Sequence, residues 1–374
     1  MTNTNFSIKP AEKDAVYNRI LSSLYGQAYA DAFGMPSELW TRKQVQDFFG
    51  IIDDFIAGPE ENIAAYGFNA GQFTDDTSQA IAIIDSFIES KGKVDSLCVA
   101  KHIMDWALKI GAFEKNILGP SSKAALTQIS NNIPIENLEN LGVTNGAPMR
   151  IAPVGMLTDT KDISFFEQQV YNACAPTHKS DVAIAGASAI AYMISKQVSG
   201  YSWSDTLPET IEYSKEIQHK YHNTFSPFVY ARINEGIKLA ERFIDVLNSS
   251  SKTSVENTPK HSAHETNILN AVDQEFAQQV YEIIGTDMQT YNSVPAAFAV
   301  AHYCMLQNAP LKIAHICANL GGDTDTTGAM SLAMASAGYD SNIYPKDHIK
   351  LLTEANNIDF ENYAKQIFNL RVTL

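Results

Sequence analysis

The chain has 374 residues, 45 % hydrophobic and 18 % charged, a balance that fits a large packed core and excludes a disordered chain. Its 42 Asp and Glu outweigh 27 Lys and Arg for a net charge of −15, and no Lys/Arg run offsets this, so nucleic acid is not an expected partner. The opening MTNTNFSIKPAEKD lacks the basic start and apolar stretch of a signal peptide, and the longest apolar-leaning run, Val182 to Ile194, is too short to span a bilayer. A cytoplasmic protein without a membrane partner is expected, although export by a signal-independent secretion machine is compatible with the same features.

Helical periodicity dominates from there. In SQAIAIIDSFIES, starting at Ser78, the residues Ala80, Ile81, Ile84, Phe87 and Ile88 share one face. Similar Ala/Ile/Met-rich stretches recur at Asp95–Ile110, Asp181–Lys196, Pro295–Leu306 and Ala329–Ala337, with little period-2 alternation anywhere. The pattern predicts an all-α fold of packed helices. Gly34-Met-Pro36, Gly119-Pro120, Gly142, Asn145-Gly146 and Gly321-Gly322 punctuate it. A polar segment at 248–267 separates a helix ending near Val246 from one starting near Ile268. It is expected to be a surface loop within a single domain spanning 1–374, with His261 and His264 as solvated histidines. The four cysteines (Cys98, Cys174, Cys304, Cys317) form no C-x-x-C pair, and buried free thiols are expected.

Two acidic motifs carry the chemistry. Thr74-Asp75-Asp76-Thr77 precedes the helix described above, and Gly321-Gly322-Asp323-Thr324-Asp325-Thr326-Thr327-Gly328 precedes Ala329–Ala337. Either alone is explained by helix capping and by the favourable dipole at a helix N-terminus, about 0.3–1 kcal/mol per charge. Two such pairs, each flanked by hydroxyls, are better explained by cations. Mg²⁺ and Mn²⁺ take oxygen ligands, and four Asp with Thr hydroxyls are enough for two ions. The segment from Asp323 also matches a phosphatase D-x-D-x-T pattern, but it follows a helical stretch, Ile313–Asn319, late in the chain. It begins like an EF-hand loop too, yet its twelfth position is Met334 where Glu is required.

With these motifs in view, the sequence resembles the ADP-ribosylglycohydrolase family over about Leu21 to Ala337. The motifs occur in the family's order: Gly26-Gln-Ala-Tyr-Ala-Asp31-Ala-Phe-Gly34-Met-Pro-Ser-Glu38, then Thr74–Thr77, Thr144-Asn145-Gly146-Ala147-Pro148-Met149-Arg150, Thr177-His178 and Gly321–Ala329. The resemblance implies a compact all-α domain with a dinuclear metal cleft holding two Mg²⁺ or Mn²⁺. Its metal ligands carry over to Thr74, Asp75, Asp76, Asp323, Asp325 and Thr326. Glu38, Asp75 and Asp76 are the implied catalytic groups, and Asn145, Gly146, Ala147, His178 and Gly322 the implied substrate contacts. Arg150 is expected to be a structural ion-pair partner, and Asp31 to support the ligand site.

The implied activity is metal-dependent cleavage of the glycosidic bond between ADP-ribose and a modified protein side chain, with arginine the first acceptor expected. Hydrolysis of a serine-linked or O-acetyl conjugate is the alternative, followed by an inactive ADP-ribose-binding relative. The chain departs from the family in three places. Ala30 replaces the usual Gly before Asp31, and Pro148 stands where Ala or Ser is common. Ile117 stands where arginine-linkage members carry the Asp of an Asp-Ile-Gly, with Asn116 and Glu114 nearby.

Overall fold

The computed structural model describes residues 10–113, 118–253 and 269–373. Among these residues the regular structure is sixteen α-helices, a few 3-10 and π turns and two isolated β-bridges, with no sheet. One contiguous apolar cluster runs from Ile20 to Ile367. No helix is long and apolar enough to cross a membrane among the described residues.

Small residues set the arrangement that positions the site. The helix Pro10–Gly34 packs against Thr324–Ser336. A Cβ at Gly26 would lie 2.3 Å from Ser336 Oγ, one at Gly34 2.6 Å from Asp325 N, and one at Gly328 3.0 Å from the Ala30 carbonyl oxygen. Positions 26, 30 and 34 thus meet 336, 328 and 325, an antiparallel contact along an i, i+4, i+8 stripe. Ala30 is accommodated because the residue facing it is Gly328. The close approach brings Asp31 and Glu38 to the start of the partner helix.

Asp181–Val198 is buried on nearly every side, as its Ala/Ile/Gly-rich sequence dictates. Helix starts follow capping chemistry: Thr74, Asp95, Asp162, Ser180 and Ser202 each accept a hydrogen bond from a backbone N–H two or three residues on.

Three boundaries differ from the periodicity. The expected Pro295–Leu306 helix begins at Thr290, placing Pro295 inside it. The proline cannot donate to the Tyr291 carbonyl, and Arg232 Nε donates to that oxygen instead, at 2.6 Å. The helix expected to end near Val246 runs to Thr253, with Ser249 Oγ donating to the Asp245 carbonyl at 2.7 Å. The rest of the polar segment, with His261 and His264, lies outside the described residues, as do Glu114, Asn116 and Ile117. Finally, the helix expected from Ala329 starts at Thr324, so the second acidic motif forms its first turn.

Candidate active site

Two helix N-termini converge here, each carrying one acidic motif. Thr74 caps Asp75–Glu89, its hydroxyl accepting from Asp76 N at 3.3 Å, and Asp323 occupies the N-cap position of Thr324–Ser336. Both ends favour negative charge through their aligned peptide dipoles. A third helix holds them in register. Asp31 Oδ1 accepts from Thr74 N at 2.8 Å, and its Oδ2 accepts from Thr77 N at 3.0 Å and from the Thr77 hydroxyl. This fully buried carboxylate is a cap supplied from another helix.

Both isolated bridges, Trp40 with Gly322 and Thr144 with Gln289, pin loops of this site. Gly322 N donates to the Trp40 carbonyl at 2.7 Å, Leu39 N donates back to Gly322 at 2.7 Å, and Asp323 N donates to the Thr286 carbonyl at 2.6 Å. Gly321 and Gly322 both have left-handed φ, +80° and +85°. A Cβ at Gly322 would stand 2.3 Å from the Thr286 carbonyl oxygen, so glycine is required. Asn145 N donates to the Met288 carbonyl at 2.9 Å, and its side-chain amide donates to Asp323 Oδ2 at 2.6 Å.

The resulting cleft has a volume of about 640 Å³. Its lining includes Glu38, Thr74, Asp75, Asp76, Asn145, Gly146, His178, Asp323, Asp325 and Thr326. Of the implied substrate contacts, Ala147 and Gly322 do not line it. Among the described residues six carboxylates face the cleft, with Glu61 as the sixth, and no Lys or Arg does. Glu38, Asp323 and Asp325 bring oxygen atoms within 4.8 Å of one another. Burial, followed by the neighbouring negative charges, holds Glu38, Asp76 and Asp325 well above the usual carboxylate range and pushes Asp75 up to about 7. Asp76 Oδ2 and Asp325 Oδ1 are buried with no hydrogen-bond partner. Such a concentration of orphaned carboxylate oxygens is unfavourable by itself and is relieved by hard divalent cations, which these all-oxygen donors fit. Thr74, Asp75, Asp76, Asp323, Asp325 and Thr326 are the groups that would hold them, with Glu38 alongside.

Behind the cleft lies a buried polar network. Arg150, completely inaccessible, donates from Nη1 to Gln79 Oε1 at 2.7 Å and from Nη2 to Thr177 Oγ1 at 2.5 Å. Gln79 Nε2 in turn donates to Asp75 Oδ2 at 2.8 Å. No ion pair reaches Arg150 among the described residues, which corrects the expected ion-pair role: its charge is held by neutral acceptors and relayed to Asp75 through one amide. Thr177 Oγ1 lies 2.8 Å from His178 Nδ1, and Thr144 Oγ1 lies 3.0 Å from its Nε2. Burial and the Arg150 charge push the His178 imidazole down to about 3, so it is neutral at ordinary pH. A Cβ at Gly146 would lie 2.7 Å from His178 Cε1, which makes this glycine a condition of the loop's fit.

A sequence model of the ADP-ribosylglycohydrolase family matches residues 12–373. The chain belongs to this family. An Escherichia coli protein, YegU, described as uncharacterized, is 41 % identical over 353 residues, covering 94 % of this chain and 97 % of its own. An Acanthamoeba polyphaga mimivirus protein whose name proposes an ADP-ribosyl glycohydrolase is 26 % identical over 230 residues, 58 % of this chain and 64 % of its own. Among solved structures, one titled ADP-ribosylglycohydrolase-related protein complex superposes with a TM-score of 0.62 at 18 % identity, covering 95 % of this chain and 99 % of the other. That likeness establishes the ADP-ribosylglycohydrolase fold.

Several lining residues of this family member were not foreseen. Glu61, Asn62, Ile63, Ala64 and Phe68 form one wall, and Leu118, Gly119, Ser122 and Met288 add to the rim. Asn62 anchors its loop by donating to the Pro36 and Glu38 carbonyls at 3.1 and 2.9 Å, while Ile63 is left 94 % exposed. The signal in the sequence was length: the stretch between the helices Arg42–Phe49 and Asp75–Glu89 has no helix of its own, and long structureless connections are often functional.

Proposed function

We propose that the protein is a metal-dependent hydrolase that cuts the glycosidic bond between ADP-ribose and a modified acceptor, with an arginine side chain the first acceptor to test. The observation that supports this most is the meeting of two helix N-termini whose Asp76 and Asp325 carboxylates each keep a buried, unpartnered oxygen in one cleft. A pyrophosphate-bearing substrate sharing that cleft with six carboxylates calls for cations, since among the described residues no Lys or Arg lines it.

Two Mg²⁺ or Mn²⁺ held by Thr74, Asp75, Asp76, Asp323, Asp325 and Thr326 would supply Lewis-acid charge and lower the pKa of bound water. Bond cleavage at the anomeric carbon passes through an oxocarbenium-like state. Asp75, half-buried at the cleft wall and oriented through Oδ2 by Gln79, would take the proton of the attacking water. Glu38, whose burial favours its protonated form, is placed to give a proton to the leaving group. Asn145, Gly146 and His178 would border the distal ribose and phosphates with small or uncharged groups.

Release of free ADP-ribose from arginine-, serine- and acetyl-linked conjugates, each with Mg²⁺, Mn²⁺ or EDTA, tests the proposal. Metal-dependent release from one conjugate supports it and names the acceptor. No release from any of them, under conditions where metal binding is demonstrated, overturns it.

A further inference from the structure

The far end of the helix Asp75–Glu89 meets the helix Ser96–Ile110, away from the cleft. There Glu89, Cys98 and His102 bring a carboxylate oxygen, a thiol sulfur and an imidazole nitrogen within 4.8 Å of one another. Cys98 and His102 are four residues apart on one helix and so project from the same face, while Glu89 comes from the other helix. Of the four cysteines, Cys174, Cys304 and Cys317 are buried as expected; Cys98 is not, being only half-buried, and it forms no disulfide.

We propose that Cys98 Sγ, His102 Nε2 and the Glu89 carboxylate form a binding site for one zinc-class divalent cation, with water completing a tetrahedron. The mixed sulfur, nitrogen and oxygen donors are those zinc takes, whereas the cleft offers oxygen alone. Zinc–ligand distances of about 2.0–2.3 Å place tetrahedral ligand atoms roughly 3.3–3.7 Å apart. His102 Nε2 already stands 2.9 Å from Glu89 Oε2, and rotation of exposed or half-exposed side chains closes the wider gap to sulfur.

Three present contacts give way without leaving a buried group unsatisfied; one is the His102 Nε2–Glu89 Oε2 hydrogen bond itself, whose proton passes to solvent as both atoms become ligands. Lys101 Nζ donates to the Glu89 carboxylate at 3.2 and 3.3 Å, and this exposed pair opposes the exchange little, since the lysine is free to turn to solvent. Cys98 Sγ donates to the Ser86 carbonyl at 3.4 Å; on metal binding the thiol proton passes to solvent and the thiolate takes the ion. Occupied, the site clamps the C-terminal end of the helix whose first turn holds Asp75 and Asp76.

Cobalt(II) is the probe that separates this site from the cleft, because only a thiolate ligand gives a sulfur-to-cobalt charge-transfer band in the near ultraviolet. Titration of the full-length, metal-free protein in excess Mg²⁺ should show that band saturating at one equivalent and being removed by Zn²⁺. Cys98→Ser should abolish it, and His102→Ala or Glu89→Gln should weaken the apparent affinity roughly tenfold or more. Circular dichroism confirms that each variant is folded. Absence of the band from the native protein, or its persistence in Cys98→Ser, overturns the proposal, and neither result bears on the activity of the cleft.

Discussion

The side-chain amide of Asn145 donates to Asp323 Oδ2 across 2.6 Å, tying the loop before Pro148–Arg150 to the N-cap of Thr324–Ser336. The same nitrogen reaches Ser293 Oγ at 3.2 Å, so the amide is fixed from two sides. Asn145→Asp would set a second carboxylate against Asp323 where a donor now stands. Loss of a buried hydrogen bond to a charged group weighs about 1.5–3 kcal/mol, so metal affinity should change by roughly tenfold or more. Isothermal titration of Mn²⁺ into this variant checks it; native affinity would show that Asn145 does not orient Asp323.

Asp325 separates function from stability. Asp325→Ala and its isostere Asp325→Asn should both lose metal-dependent turnover, roughly a thousand-fold if several kcal/mol of transition-state stabilisation goes with the ion. Yet Asp325 carries a buried oxygen without a partner among like charges, and in EDTA Asp325→Asn should be at least as stable as the native chain. Hydrolysis at the native rate by either variant would sink the two-metal proposal. Chemical denaturation in EDTA tests the second half.

The pH dependence has a definite sign. Burial pushes Asp31 up to about 6 and Asp75 to about 7, above the 3.8 of an ordinary aspartate. Between about pH 4 and pH 7 the folded, metal-free protein therefore retains protons that the unfolded chain has released. Its stability falls as pH rises through that window, by about 1.4 kcal/mol per pH unit for each such proton. Bound cations favour the ionised carboxylates and reverse the trend. Mn²⁺ should raise the melting temperature much more at pH 8 than at pH 5. Equal gains at both values would show that the acidic cluster is not the binding site.

Arg150 should resist a nominally conservative change. Arg150→Lys keeps the charge but cannot reach Gln79 and Thr177 together, so one of these bonds is lost, about 1.5–3 kcal/mol. Because Gln79 also orients Asp75, kcat should fall while the substrate KM changes little. A proportionate rise in KM instead would place Arg150 in substrate binding.

Gly322→Ala meets two obstacles. The left-handed backbone alone costs about 1–3 kcal/mol for a residue with a Cβ, and that Cβ lands 2.3 Å from the Thr286 carbonyl oxygen. The expected outcome is a destabilised protein with weakened metal binding, since Asp323 N bonds the same Thr286 carbonyl. Native stability by calorimetry would contradict this account of the loop.

The helical class was legible in the chain, because an apolar period of 3.6 is local, and so were both acidic motifs, because Thr74, Asp75 and Asp76 and the run from Asp323 to Thr326 sit together in the chain. The sequence also marked the cap at Thr74, which acts within a turn of its own helix. That the two motifs share one cleft followed from packing, through the small-residue stripe of Gly26, Ala30 and Gly34 that lets two distant helices approach. Asp31 as a cap for another helix, Arg232 serving the carbonyl that Pro295 leaves, and Asn62 and Ile63 on the wall of the cleft belong to the same class. Each depends on which surfaces face each other after packing, a relation between residues far apart in sequence that no local period or propensity encodes.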